Sequence, residues 1–219
     1  MKYLIYTAII ISTLSSCIKD NTDCPKEFEL PGNVIPYDSV YHIGDTISLI
    51  SKFSKNVTEV NNHNKYKLED IIWEFSFRAF RIDSGKTAED ALSTRTDKCF
   101  NIINCNDTNY YWDYFSDGGS YLMATTKFDT DTYRLILDIS PKVKGIYMIG
   151  FGSSTYESYQ DFEGKCKGVP FSAHAINNKG KDNNIYLLEE SPMPHFNNWI
   201  LQEPEERFYP FFFAFRVID

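Results

Sequence analysis

Between Asp70 and Ile82 the chain alternates with a period of two. Ile71, Trp73, Phe75, Phe77 and Ala79 fall on one side, and Glu74, Ser76 and Arg78 on the other. An extended strand sorts residues onto two faces in this way. A face so apolar needs a second layer to cover it, so Trp73 is read as core. The same texture recurs along the chain. In Thr46 to Phe53, Ile47, Leu49 and Phe53 share a face; in Thr132 to Ile139, Tyr133, Leu135, Leu137 and Ile139 alternate with Arg134, Ile136 and Asp138. Ser120 to Phe128 reads as the hairpin partner of that last strand, turning at Asp129-Thr130-Asp131. Phe208 to Ile218 (FYPFFFAFRVI) is apolar on both faces, which demands a strand covered on both sides.

The 15 Tyr and 17 Phe suit strands better than helices. Helix signals are short. Thr87-Ala88-Glu89-Asp90 resembles a capping box opening a helix to Ser93, and Phe196, Trp199 and Ile200 at i, i+3 and i+4 suggest another over 194–202. Ser153 to Asn184 reads as a long polar loop, followed by a short strand at Ile185 to Leu188. About eight strands, long connections and one or two short helices predict an all-β fold, an antiparallel β-sandwich spanning 35–219. A closed β-barrel is the alternative.

Two phrases carry a resemblance to immunoglobulin-like domains. Tyr41-His42-Ile43-Gly44-Asp45-Thr46-Ile47 looks like the opening strand of such domains in surface lipoproteins. Pro141 to Tyr147, with Gly145 before the tyrosine, is similar to the corner of these sandwiches. There a tyrosine hydroxyl ties down the crossing loop.

At the other end of the chain, Lys2 precedes the uncharged, apolar run Tyr3 to Leu14, twelve residues long. That is short of the roughly 20 needed to span a bilayer, and reads as the core of a signal peptide over 1–16. Leu14-Ser15-Ser16-Cys17 resembles the lipobox of bacterial lipoproteins. The resemblance implies that the mature chain begins at a diacylated Cys17 and is held in the outer membrane by lipid. Lys19-Asp20 looks like part of the Lys-acidic-acidic signal that sends Bacteroidota-type lipoproteins to the cell surface, with Asn21 in place of the second acid. The periplasmic face is the alternative address. Residues 17–34 are polar, Pro-containing and aperiodic, the composition of a lipidated tether.

If Cys17 carries lipid, Cys24, Cys99, Cys105 and Cys166 remain, enough for two disulfides in an oxidising compartment. Three connectivities are possible. The preferred one joins Cys99 to Cys105 across a short hairpin-like loop and Cys24 to Cys166. With Cys24 bonded, only six residues separate the lipid from the domain.

Removing Lys2 leaves 21 basic residues against 30 acidic ones, a net charge of −9. This argues against nucleic acid or anionic lipid headgroups as expected partners. No cofactor is indicated: nucleotide and nucleophile-elbow motifs are missing, and no C-x-x-C or paired His suggests metal. His42, His63, His174 and His195 are scattered. Asp38-Ser39-Val40 and Asp45-Thr46-Ile47 resemble the Asp-Ser/Thr-apolar O-glycosylation motif of Bacteroidota secreted proteins. The best binding candidate is Tyr110-Tyr111-Trp112-Asp113-Tyr114, read as an aromatic loop whose rings stack on sugars or on a partner's apolar surface. The expected function is a non-catalytic, membrane-anchored surface module that binds a glycan or protein. The alternative is a structural component of an envelope or fimbrial complex, with the double-faced final strand donated or completed. A hydrolase with a site assembled from distant acids ranks third.

Overall fold

In the computed structural model, the described residues are 24–68, 71–85, 87, 90–91, 93–162, 166–193 and 211–219, without the side chains of 156 and 157. Cys17, the signal segment 1–16 and the expected helix over 194–202 lie outside them. Among the described residues the strands run β1 (Glu27–Ile35), β2 (Val40–His42), β3 (Ile47–Ser54), β4 (Asn56–Thr58), β5 (Lys65–Lys67), β6 (Glu74–Arg81), β7 (Phe100–Cys105), β8 (Tyr111–Tyr114), β9 (Ser120–Thr125), β10 (Lys127–Asp129), β11 (Thr132–Pro141), β12 (Gly145–Gln160), β13 (Val169–Asn177) and β14 (Phe212–Ile218). A one-turn helix, α1 (Thr96–Cys99), precedes β7, and a 3₁₀ segment spans Ile185–Glu190.

The fold is an all-β sandwich and not a closed barrel. One layer runs β11, β3, β1, β13, with β10 and β7 both on the outer side of β11; the other runs β2, β14, β12, β6, β9, β8. The strands pair antiparallel except for β1 with β13 and β14 with β2. Strand β12 belongs to both layers. Its residues 145–150 pair with β14 and 147–154 with β6, and from Thr155 onward it pairs with β13, with an irregular register between Thr155 and Ser158.

The alternating patterns meet between the layers. Ile47, Leu49, Leu135, Leu137 and Ile139 face Phe75, Phe77, Tyr147, Ile149, Phe213 and Phe215, all fully or almost fully buried. A second core surrounds Trp73 with Phe28, Phe53, Tyr133 and Phe171 near the Cys24–Cys166 disulfide. Covering each such side chain contributes roughly 1.5–3 kcal/mol. A third cluster lies on the outer side of the second layer. There the segment Ile185–Glu190 and Met193 cover Ile82, Ile146, Met148 and Ala214. The double-faced final strand is thereby explained: β14 sends Phe213, Phe215 and Val217 into the main core and Ala214 to this outer cluster.

The expected tyrosine corner is present. Tyr147 is wholly buried and its hydroxyl donates to the Val143 carbonyl at 3.0 Å, four residues upstream. Tyr41 does the same for the Pro36 carbonyl at 2.5 Å. The capping box is also found, with Thr87 and Asp90 exchanging backbone-to-side-chain bonds of 3.0 and 3.4 Å.

Several expectations change. The segment 17–34 is not aperiodic throughout: Phe28, Leu30 and Val34 alternate inward and make 27–35 the first strand. The hairpin is limited to β10 and β11; β9 belongs to the opposite layer, and the chain changes layer at the buried Thr126, whose hydroxyl meets that of Ser153 at 2.6 Å. Ser153 to Asn184 is largely strand, and Ile185–Glu190 is helical.

The Cys99–Cys105 bridge does not form: both thiols are free, while Cys24 and Cys166 are bonded with Cα atoms 5.7 Å apart. Cys99 ends α1 and Cys105 ends the extended β7. A strand of that length separates the two by about 20 Å, against the roughly 7 Å limit for a bridge. Cys99 instead lies buried beside the Tyr147 hydroxyl, and burial pushes both groups' pKa up. Unfolded without reductant and treated with iodoacetamide, the chain is expected to take adducts at Cys99 and Cys105 and none at Cys24 or Cys166. Peptide mass mapping that finds Cys99 and Cys105 bridged would overturn this assignment.

Candidate functional site

The aromatic segment is the outer strand β8, held to β9 by the pairs Tyr111 with Met123 and Asp113 with Tyr121. Strand geometry splits the cluster. Tyr111 and Asp113 lie on one face of β8, while Trp112 turns the other way and packs, half-buried, against the main core. Tyr111 is 58% exposed, and Tyr110 and Tyr114 are also exposed. The Arg95 guanidinium lies 4.9 Å from the Tyr114 ring.

The face bearing Tyr111 and Asp113 continues across the second layer. The Tyr121 hydroxyl donates to Asp113 at 2.7 Å, and this bond, helped by burial, pushes its pKa up to about 12. The Tyr121 ring stacks on Phe115, centroids 4.7 Å apart. The Arg78 guanidinium then bridges Phe115 at 4.3 Å and Phe80 at 4.8 Å. The result is a row of ring faces and charge across β8, β9 and β6.

Next to this row, the outer face opens into a trough of about 500 Å³. It lies where β12 leaves one layer for the other. Its floor is small: Gly150 and Gly152, with Ser76, Ser154 and Ser172 around them. Phe211, Phe212 and His174 form the wall. Glycine is required at 152, and Gly150 fits closely under Phe212. A Cβ on Gly150 would come within 3.2 Å of the Phe212 ring, and one on Gly152, at φ +136°, within 2.2 Å of the Ala175 Cβ. The His174 ring meets Phe211 edge-on at 5.0 Å and stands 3.5 Å from the Glu27 carboxylate.

Rings beside hydroxyls, an imidazole and carboxylates offer apolar stacking and hydrogen bonding to one ligand. Ligand sites combine these features: apolar and aromatic walls with a few placed polar groups. Tyr111 and Asp113 are the residues of the sequence-predicted cluster that belong to this face. The trough was not visible in the sequence, because glycine, serine and alanine at 150–155 and 172–175 have the composition of a loop. The phrase Gly150-Phe151-Gly152 is its one local signal, since glycine inside a strand marks a bulge or a close backbone approach.

No family model matches the chain, and no curated protein matches it. Among solved structures, the human F-spondin reeler domain is similar at 14% identity, covering 69% of this chain and 96% of that one with a TM-score of 0.29. Cep-1, the C. elegans ortholog of human p53, is similar at 9% identity over 66% and 85%, TM-score 0.32. A type II cohesin domain from the cellulosome of Acetivibrio cellulolyticus is similar at 8% identity over 67% and 92%, TM-score 0.27.

Proposed function

We propose that the chain is a lipid-anchored cell-surface module that binds a glycan, without catalysis, on the outer face of its second layer. The observation that carries this reading is the adjacency of the Tyr111, Tyr121 and Phe115 rings to a hydroxyl-rich trough. The C–H faces of a sugar ring stack on aromatic faces, while its hydroxyls take up donors and acceptors such as Ser76, Ser154, Ser172 and Asp113. Leu14-Ser15-Ser16-Cys17 supports the lipid anchor, and Lys19-Asp20 supports display on the outer surface. A protein ligand would use the same rings through its apolar surface. The reading of an envelope component with a donated last strand draws less support, because β14 is already paired on both edges within its own chain.

Two substitutions test the site. Tyr111→Ala is expected to weaken binding on a glycan array by about tenfold or more, the effect of losing a ring worth about 1.4 kcal/mol or more, with an unchanged melting temperature. Trp112→Ala is expected to do the reverse, lowering stability by about 2 kcal/mol through lost core packing. Equal binding by wild type and Tyr111→Ala across every glycan that the wild type retains would remove the aromatic row from the site.

A further inference from the structure

We propose that the end of the sandwich carrying Cys24 is a membrane-docking face, on which Ile72, Phe128 and Tyr159 rest against the lipid surface that holds the anchor. The proposal builds on the reading of Cys17 as the lipidated residue and adds the orientation of the domain.

Chain length sets the orientation. Six residues separate Cys17 from Cys24, and fully extended they reach about 20 Å. Cys24 is fixed by its bond to Cys166 and lies just before β1. The nine residues of β1 lead away from it over roughly 30 Å at about 3.3 Å each. The tether is thus shorter than the strand, and the end where β1 begins is the one it keeps at the bilayer.

The strand directions place three exposed apolar side chains at that same end. β6 runs antiparallel to β12 and starts just after Ile72, while Tyr159 stands at the close of β12, opposite the start of β13. Phe128 lies in β10, paired with Tyr133 beside the β10–β11 turn, where Thr132 pairs with Ser54 at the finish of β3. Ile72 is 74% exposed, Tyr159 67% and Phe128 51%. Cross-links at this end hold the region together. The Gln160 amide donates to the Lys67 carbonyl at 2.6 Å, Thr126 N–H donates to the Trp73 carbonyl at 2.9 Å, and the Phe128 ring packs 4.7 Å from Tyr133. Lys26, Lys65, Lys127 and Lys167 are exposed around these side chains, along with Asp129 and Asp161. Lysine stems lie along apolar surface while their heads reach the headgroup layer. Aromatic residues, tyrosine among them, favour that layer for the same reason.

The full lipidated chain, reconstituted into phosphatidylcholine vesicles with and without brominated acyl chains, tests the proposal. Ile72→Trp, Phe128→Trp and Tyr159→Trp are made singly, with Tyr186→Trp at the opposite end as reference, and fluorescence is read as the difference from the parent protein. Bromolipid is expected to quench the added indole at least twofold at positions 72, 128 and 159, and to leave that at 186 unchanged. If the protein floats with the vesicles and the first three are quenched no more than 186, the docking face is wrong while the anchor stands. If the protein does not float, the anchor is wrong, and the docking face falls with it.

Discussion

Deleting residues 213–219 is expected to leave a chain that does not fold cooperatively. The deletion removes Phe213, Phe215 and Val217 from the main core and opens ladder bonds to both β12 and β2. Phe215 sits at the centre of that packing, with ring centroids 5.1 Å from Tyr41, 5.9 Å from Tyr147 and 6.2 Å from Phe100. Even Phe215→Ala alone should cost about 3–5 kcal/mol, against a whole-domain stability of roughly 5–15 kcal/mol. Circular dichroism on heating provides the measurement. A truncated chain with a sharp transition near that of the full-length protein would show that the last strand is dispensable.

Replacing both Cys24 and Cys166 by serine is expected to lower stability by about 4–5 kcal/mol. The bond spans 142 residues, and constraining so long a loop in the unfolded chain accounts for a contribution of this size. The local effect has the same sign, since the bridge borders the cluster of Phe28, Phe162 and Phe171 and pins the entry of β1 to the segment before β13. Urea unfolding of the double variant, and of the wild type in reductant, should give matching midpoint shifts. A shift worth less than about 1 kcal/mol would mean that the unfolded chain is already compact.

Much of the fold was legible because it is written in periods of two. Trp73, Phe75 and Phe77, and Leu135, Leu137 and Ile139, occupy the buried positions that alternation assigns to them. The Cys24–Cys166 pairing, the tyrosine corner at Tyr147 and the double-sided last strand are present as expected. What escaped is where tertiary context overrides composition. Ser153 and Thr155 are buried hydroxyl residues in a central strand. Their small polar side chains show no apolar face, so sequence alone assigns them to a loop. Cys99 and Cys105 are close in sequence, but nothing local reveals that the intervening residues are fully extended. The aromatic cluster was legible as a site candidate and wrong in its conformation: a strand sends Trp112 inward and Tyr111 outward, whereas a loop would allow both to project together.

Strand β12 has a mechanical consequence. Because one continuous backbone is hydrogen-bonded first into one layer and then into the other, neither layer can open without tearing a strand that the other also holds. The sandwich should therefore lose its slowest-exchanging amides, those of residues 148–153, only through whole-molecule opening. A ligand seated in the trough grips the seam itself, so its binding energy adds to the free energy of that opening and slows exchange in both layers at once.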